Sequence, residues 1–287
     1  MTTNRAQGPM LNPRVTVLVR PSGVVQLGWD PERALLLDPP GLDTETVLTF
    51  LRLLDGLQTR PQILWRAGEC GIPPEQAMAL LAEIDEAGLL VHPESRDGRI
   101  RSVRLHGLGP LSDALTTGLR RLGIRPTRSR GYAPDTPITG WQADLVVLAD
   151  DVVADPRLTN DLVLHRIPHL QVRIRDGKGI IGPLVLPGET SCLRCADLTR
   201  TDYDADWPHL AAQLLGRVGH AAPAAIAATA ALALNEVESI VACSARRAPA
   251  TLDTTLELDL DSHLIAQRYW APHEACGCRA VSAGASA

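Results

Sequence analysis

Gly182-Pro-Leu-Val-Leu-Pro-Gly-Glu-Thr-Ser-Cys192-Leu-Arg-Cys195 decides how this chain is read, together with its short counterpart near the other end, Cys276-Gly-Cys278. A C-x-x-C turn offers two sulfurs to one tetrahedral ion, and a second close pair arriving from elsewhere in the fold completes a four-thiolate shell. Such a shell leaves no open position for water or substrate. Cys192, Cys195, Cys276 and Cys278 therefore read as a structural zinc site that pins the C-terminal tail to the middle of a domain. Two other uses stay open at this level. A thioredoxin-like redox pair needs its C-x-x-C at the start of a helix after a strand, and disulfides need an oxidising compartment. Cys70 and Cys243 have no close sequence neighbour and read as small buried hydrophobes.

Upstream of the knuckle the pattern is that of an α/β nucleotide-binding fold. Ser102 to Leu105 reads as a strand, His106-Gly-Leu-Gly-Pro110 as a turn, and Leu111, Leu115, Leu119 and Leu122 as the apolar side of a helix. Gly107 and Gly109 supply two glycines of a G-x-G-x-x-G fingerprint and are the candidate cofactor-binding residues, but Ser112 stands at the third position. Pro110 removes a backbone N–H where phosphate needs donors, and no acidic residue ends the second strand, expected at Ile124 to Arg130, to hold a ribose hydroxyl. ATP is therefore not expected. Ala143 to Ala149 is a continuous apolar run, as a strand buried on both faces should be. A helix is expected from Asp155-Pro156 through His165, a strand at Leu170 to Ile174, and a hairpin within Gly179 to Pro187. Beyond the knuckle, Asp206 to Val218 is amphipathic and Ala221 to Cys243 is a long Ala-rich helix, expected to pack in the core rather than form a subunit contact. Asn235, Glu236 and Glu238 interrupt it and Pro223 opens it, so it does not read as a membrane span. Leu252 to Leu260 and His263 to Trp270 form a last hairpin that delivers Cys276 and Cys278.

Toward the N-terminus, Met1 to Pro13 is polar, without the apolar stretch of a signal peptide, and reads as a flexible lead. Arg14 to Leu37 alternates like a three-stranded antiparallel meander, with a turn at Pro21-Ser-Gly23. The period then becomes helical. Val47, Phe50, Leu51 and Leu54 mark one helix, Arg60 to Ala67 a second, and Ala77, Leu80, Leu81 and Ile84 the buried stripe of a third that ends at Gly88. Small strands, three helices and a last strand at Leu89 to Val91 describe a winged-helix-like domain over residues 14–93. Its third helix carries Glu75, Glu83, Asp85 and Glu86 without Lys or Arg, which does not suit a phosphate backbone. A structural appendage is the plainer reading, and a sheet edge that accepts an added peptide strand is the sharper one. Polar His92 to Arg101 reads as the interdomain linker, a second domain spans residues 100–280, and residues 281–287 are a flexible tail.

Composition sets limits on all of this. The chain has 287 residues, of which 45% are hydrophobic and 3% aromatic, so its packing rests on Leu, Val, Ile and Ala. A formal net charge of -5 argues against nucleic acid as the partner. Thiols that bind metal and the polar N-terminus make a cytoplasmic location the expectation.

The run Gly182 to Asp202, continuing to Asp206-Trp207-Pro208, with Cys276-Gly-Cys278, resembles the ThiF-related proteins that assist azoline and azole formation in ribosomally made peptides. These are the bacteriocin-biosynthesis cyclodehydratase C-proteins of TOMM pathways, also called leader-peptide-binding proteins, and the likeness covers nearly the whole chain. It implies a PqqD-like winged-helix recognition domain followed by a ThiF/MoeB-like Rossmann-type domain whose structural zinc is held by Cys192, Cys195, Cys276 and Cys278. It also implies that the third strand, Arg33 to Leu37, and the third helix, Glu75 to Ala87, flank a groove for a precursor leader peptide. Arg33, Leu35, Leu37, Leu80 and Glu83 are the candidate contacts. Adenylating relatives carry a full glycine loop, an acidic end to the second strand and an Asn-Leu-x-Arg-Gln element. Here that element is missing and Thr127 to Tyr132 stands where the acid should be. The resemblance is thus to the branch in which a separate YcaO-type partner activates the peptide amide with ATP. An adenylyltransferase of the ThiF/MoeB, ubiquitin-like modifier activating type is the alternative, a thiol redox protein is a third reading, and a homodimer stays open.

Overall fold

Residues 8–91, 100–132, 138–242 and 248–282 are described by a computed structural model, and the chain divides into two units, Met1–Ser95 and Arg96–Ala287. Most of the expected linker (residues 92–99), Cys243 and the end of the expected tail (residues 283–287) lie outside the described residues.

The first unit contains β1 (Met10–Leu11), β2 (Val17–Val19), β3 (Val25–Leu27), β4 (Leu35–Leu37), α1 (Thr44–Leu53), α2 (Arg60–Glu69), α3 (Pro74–Glu86) and β5 (Leu90–Val91). β2, β3 and β4 form the antiparallel meander, in the register Val17 opposite Leu27 and Val25 opposite Leu37. Asp43 starts α1 by accepting the Thr46 N–H at 2.8 Å. Thr59 and Gln62 start α2 as a capping box, with the Thr59 N–H 2.8 Å from Gln62 Oε1. The expected stripe of α3 (Ala77, Leu80, Leu81, Ile84) is buried and packs with Val25, Leu27, Leu37 and Phe50. One strand pairs differently from the sequence reading. Met10 and Leu11, expected in a flexible lead, form β1 and pair antiparallel with β5 in a separate two-stranded sheet. The apolar pair Met10-Leu11 is short enough to escape a periodicity count, yet it satisfies the backbone of the last strand.

The second unit contains β6 (Val103–His106), α4 (Pro110–Arg121), β7 (Thr127–Ser129), β8 (Leu145–Asp150), α5 (Pro156–Leu164), β9 (His169–Arg175), β10 (Lys178–Val185), α6 (Leu193–Tyr203), α7 (Trp207–Leu214), α8 (Pro223–Ala242), β11 (Thr254–Asp259) and β12 (Leu264–Tyr269). They build one mixed sheet in the order β12-β11-β10-β9-β8-β6-β7. β7, β6, β8 and β9 are parallel and the rest antiparallel. Counted within the unit, the parallel half runs second, first, third, fourth, so its switch point lies between β6 and β8, as in a Rossmann-type sheet.

α8 lies in the core. Ala230, Ala233, Val237 and Ile240 pack with Leu111, Leu115 and Leu119 of α4 and with the strands beneath. The closeness needs glycine partners. A Cβ on Gly118 would meet Leu234 Cδ1 at 2.0 Å, and one on Gly179 would meet Thr229 Oγ1 at 2.0 Å. By length and composition α8 could cross a membrane. Its Glu236 is buried instead against Thr251, whose N–H and hydroxyl donate to Oε2 at 3.1 and 3.0 Å. Two expectations are corrected here. Leu122, assigned to the apolar side of α4, is 40% exposed because it caps the helix end. Gly179 to Pro187 is no hairpin, since Lys178–Val185 is one strand and the turn falls earlier, at Asp176 and Gly177, which take φ values of 50° and 81°. α6, directly after the first knuckle, was not foreseen.

Candidate metal centre and binding surfaces

Cys192 caps the N-terminus of α6 and Cys195 sits in its first turn. The 3-10 turn Gly277–Ser282 and the residue before it bring the other pair. Sulfur separations are 3.8 Å for Cys192–Cys195, 3.6 Å for Cys192–Cys276 and 3.5 Å for Cys195–Cys278, and all four Sγ atoms lie within 4.8 Å of one another. An ion about 2.3 Å from each of four tetrahedral sulfurs requires S···S edges of about 3.8 Å, whereas a disulfide needs about 2.0 Å. The spacing therefore fits four ligands on one ion. The local requirement of a redox pair, a C-x-x-C opening a helix, is also met; two further sulfurs packed against it are what such a pair does not need. The Cys192 thiol donates to Cys195, which pulls Cys195 down to about 4, while the same contact and burial hold Cys192 far above the thiol range. Burial pushes Cys278 up to about 12. Protons alone let little negative charge gather here, and a cation is needed for four thiolates to coexist.

Other contacts hold the tail beside α6. His273 Nε2 lies 2.9 Å from Asp202 Oδ2, and the Cys276 N–H donates to the His273 carbonyl at 2.9 Å. The Arg200 guanidinium lies over the rings of Trp270 (4.5 Å) and Trp207 (5.2 Å), and Trp270 Nε1–H donates to Thr255 Oγ1 at 2.7 Å.

At the switch point, a crevice of about 390 Å³ opens beside His106, Asp151 and Asp155. Gly107 and Gly109 stand where the fingerprint puts them, but their neighbour is protein. Cβ atoms added there would meet Ala149 O at 2.4 Å and Asp150 Oδ1 at 2.7 Å. Asp150 is buried, takes a left-handed backbone (φ 74°), and its Oδ1 accepts the Leu111 N–H at 2.9 Å; the Ser112 N–H reaches the same carboxylate at 3.3 Å. The first-turn amides of α4, the usual phosphate donors, are thus bonded to a carboxylate that the sequence reading did not single out. Burial, with the Asp150 and Asp155 charges nearby, raises Asp151 above the usual carboxylate range, the direction expected where negative charge is crowded. Within β7, Arg128 pairs with Asp113 at 2.8 Å.

In the first unit, β4 is an edge strand bonded to β3 alone among the described residues. The five candidate groove residues separate. Arg33 and Glu83 are exposed and Leu35 is half-buried, but Leu37 and Leu80 are core residues with 1% and 2% exposure. Their assignment to the groove is corrected by the two periodicities: Leu37 points inward in β4, and Leu80 lies in the core stripe of α3. Leu36, between them in the alternation, is 42% exposed, and Met78 is 46% exposed on α3. Cys70, read as buried, is exposed at the C-cap of α2.

No protein-family model matches the chain, and none of the curated proteins does. Among solved structures, it is similar to the heterocyclase TruD, with TM-score 0.65, 17% identity, and coverage of 94% of this chain and 42% of that one. A heterocyclase in complex with substrate and cofactor gives TM-score 0.62 and 18% identity, over 94% of this chain and 39% of that one. Escherichia coli MccB with AMPCPP and MccA gives 0.61 and 12% identity, over 95% and 99%. The chain thus spans about two fifths of the length of the heterocyclases and nearly all of MccB, and it shares their fold.

Proposed function

We propose that this chain is a leader-peptide-binding, non-adenylating ThiF-like partner of a YcaO-type cyclodehydratase, acting in azoline and azole modification of ribosomally made peptides in the cytoplasm. The first unit, as a PqqD-like winged-helix domain, holds the precursor leader. The second is a ThiF/MoeB-like body whose four cysteines hold a structural zinc. The observation that carries this reading is the open outer edge of β4, with Leu36 exposed on it, Arg33 exposed in the turn before it, and Met78 and Glu83 exposed on α3. Unpaired N–H and C=O groups on such an edge accept an extended peptide as a further strand. The fold shared with the two heterocyclases and with MccB, one of whose structures contains MccA, agrees with work on peptides.

The adenylyltransferase reading is favoured by one finding, the AMPCPP in that MccB structure. Against it stand Pro110, which lacks an N–H, and the Asp150 carboxylate on the α4 amides. The second copy of a homodimer would find an exposed surface at β12, an edge strand on which Leu264, Ile265 and Tyr269 are 64%, 54% and 67% exposed.

The test is binding of fluorescent short peptides encoded beside this gene, in wild type and in Leu36→Asp. Burying the 42% of Leu36 that is exposed is worth about 1 kcal/mol, so the variant should bind about five-fold more weakly, or worse once its charge is desolvated. A cognate peptide bound equally well by both proteins would refute the β4 groove.

A further inference from the structure

β9 runs through the middle of the sheet, bonded to β8 on one side and β10 on the other. Side chains alternate along a strand, and Leu170, Val172 and Ile174 enter the core beneath α4 and α8. A strand covered on both faces is ordinarily apolar on both, but the other face of β9 carries His169, Gln171 and Arg173, which are 0%, 3% and 9% exposed. All three line a cavity of about 660 Å³ that is also bounded by residues of α5 and α6.

The charges around this cavity do not balance. Arg157 is paired with Asp155 and Arg200 with Asp197. Arg173 makes one hydrogen bond, from Nη1 to the Val152 carbonyl at 2.8 Å, leaves its Nε without a partner, and has no carboxylate within ion-pair distance among the described residues. Burial pulls its pKa down to about 9, with the neighbouring Arg200 and Arg175 charges adding to this, so the guanidinium stays charged at neutral pH. A buried, unpaired cation of this kind is a standing penalty unless a counter-charge arrives. Beside it, the His169 Nδ1–H donates to the Ile167 carbonyl at 3.0 Å, which leaves Nε2 as a lone-pair acceptor with no partner. Val163, Leu164 and Leu193 add apolar wall.

We propose that this cavity binds a small ligand with one carboxylate and an apolar body, the carboxylate accepting from Arg173 and a ligand N–H or O–H donating to His169. Arg173 is the one buried guanidinium here without a counter-charge and matches one carboxylate; Arg194, which also borders the cavity, is exposed to solvent. A phosphate monoester brings about one and a half to two negative charges. The size falls within the roughly 300–1,000 Å³ of ordinary ligand sites. The cavity is lined by residues of the second unit alone, so the proposal does not depend on what β4 of the first unit binds. Competing negative charge comes from the cysteine centre, since Cys192, Cys276 and Cys278 border the same cavity, and from Asp197 and Glu257, which act on Arg173 at a distance but are paired with Arg200 and with Arg175 and Arg268.

The test uses the full chain with its metal content verified, and a panel of N-acetylated amino acids as free acids and as their amides, followed by calorimetry and thermal shift, with inorganic phosphate as a separate arm. Simple alkanoates such as 4-methylpentanoate distinguish a free organic acid from a peptide C-terminus. At least one free acid should bind ten-fold or more tightly than its amide. Arg173→Met should lose that ten-fold preference while the ligand-free protein keeps or raises its melting temperature and retains its metal. Gln171→Leu, which leaves the charge in place, should weaken binding without abolishing the preference, and it decides the matter should Arg173→Met fail to fold. Acids and amides that bind alike, phosphate binding in place of every carboxylate, or no binding across the panel would overturn the proposal. So would an Arg173→Met protein that loses its metal, because the arginine would then be balancing the thiolates.

Discussion

Cys276→Ser is the sharpest test of the metal centre, because its size depends on which loop the ion closes. Cys195 and Cys276 are 81 residues apart (276 − 195), and closing a loop of that length would stabilise the fold by about 4.5 kcal/mol in the chain-entropy treatment. The chain is already fastened short of the cysteine. The Trp270 N–H donates to the Asp253 carbonyl at 2.8 Å and its indole to Thr255 at 2.7 Å, so the ion closes only the six residues from Trp270 to Cys276. A loop that short corresponds to about 2 kcal/mol. For a unit of the size of Arg96–Ala287 this is a fall in melting temperature of about 4–8 °C. The assay is thermal unfolding under reducing conditions, with metal analysis by mass spectrometry, on wild type, Cys276→Ser and the exposed-cysteine control Cys70→Ser. Wild type should hold about one zinc per chain, the variant should lose most of it, and the control should match wild type. No metal in reduced wild type with its thiols free would refute the site. A drop of 15 °C or more would refute the short-loop reasoning and give the ion the whole 81-residue loop.

The remaining expectations concern charge and nucleotide. Burial pushes His169 down to about 4, opposed by its bond to Ile167, while an unfolded histidine titrates near 6.5, so the unfolded state takes up the proton first. The stability gained from keeping it neutral is complete above about pH 6.5 and is lost as pH falls toward 4, by up to about 3 kcal/mol; urea midpoints across that range should flatten in His169→Phe, and an unchanged slope would contradict the assignment. Calorimetry with ATP and magnesium should show no micromolar binding, and micromolar affinity, or pyrophosphate exchange in the presence of a peptide acid, would favour the adenylyltransferase. Asp150→Ala should destabilise the protein by about 1–3 kcal/mol, because it strips the acceptor from two buried amides of α4; a gain of nucleotide binding without loss of stability would show that the carboxylate serves only to block phosphate.

The sequence was most legible where one physical rule acts alone. Helices α1 to α3 follow from apolar spacing, and β8 follows from an uninterrupted apolar run. The four cysteines could be named because C-x-x-C and C-x-C are short-range signals, and the fold had only to bring them together. Misreadings arose where a local signal was outweighed or overlooked. Asp176-Gly177 is a strong hairpin pair, yet the glycines and prolines of Gly179 to Pro187 drew the turn to the wrong side of β10. α6 was missed because its residues, Leu-Arg-Cys-Ala-Asp-Leu-Thr-Arg-Thr-Asp-Tyr, bury only Leu193, Cys195 and Ala196 and so give almost no stripe. At β4 and α3 the sequence placed the strand and the helix, but only packing could tell Leu36 from Leu35 and Leu37.

β9 carries that lesson furthest. Leu170, Val172 and Ile174 are enough to mark a strand, and once they do, the residues between them are read as its solvent side. That inference holds for an antiparallel sheet with one wet face. It fails for a strand whose parallel neighbour β8 is buried at all six positions and whose other neighbour, β10, is buried at every position after Lys178. In such a strand, alternation marks two buried faces of unlike chemistry. A buried histidine, glutamine and arginine in a row have to be explained by what they face, which here is a cavity rather than water. The general signal is a strand in the interior of a covered sheet that nevertheless alternates apolar with polar and cationic residues. Its centrality makes the polar stripe at His169, Gln171 and Arg173 a candidate site, and the same stripe on β12, where all six residues are exposed, would be only a solvated edge.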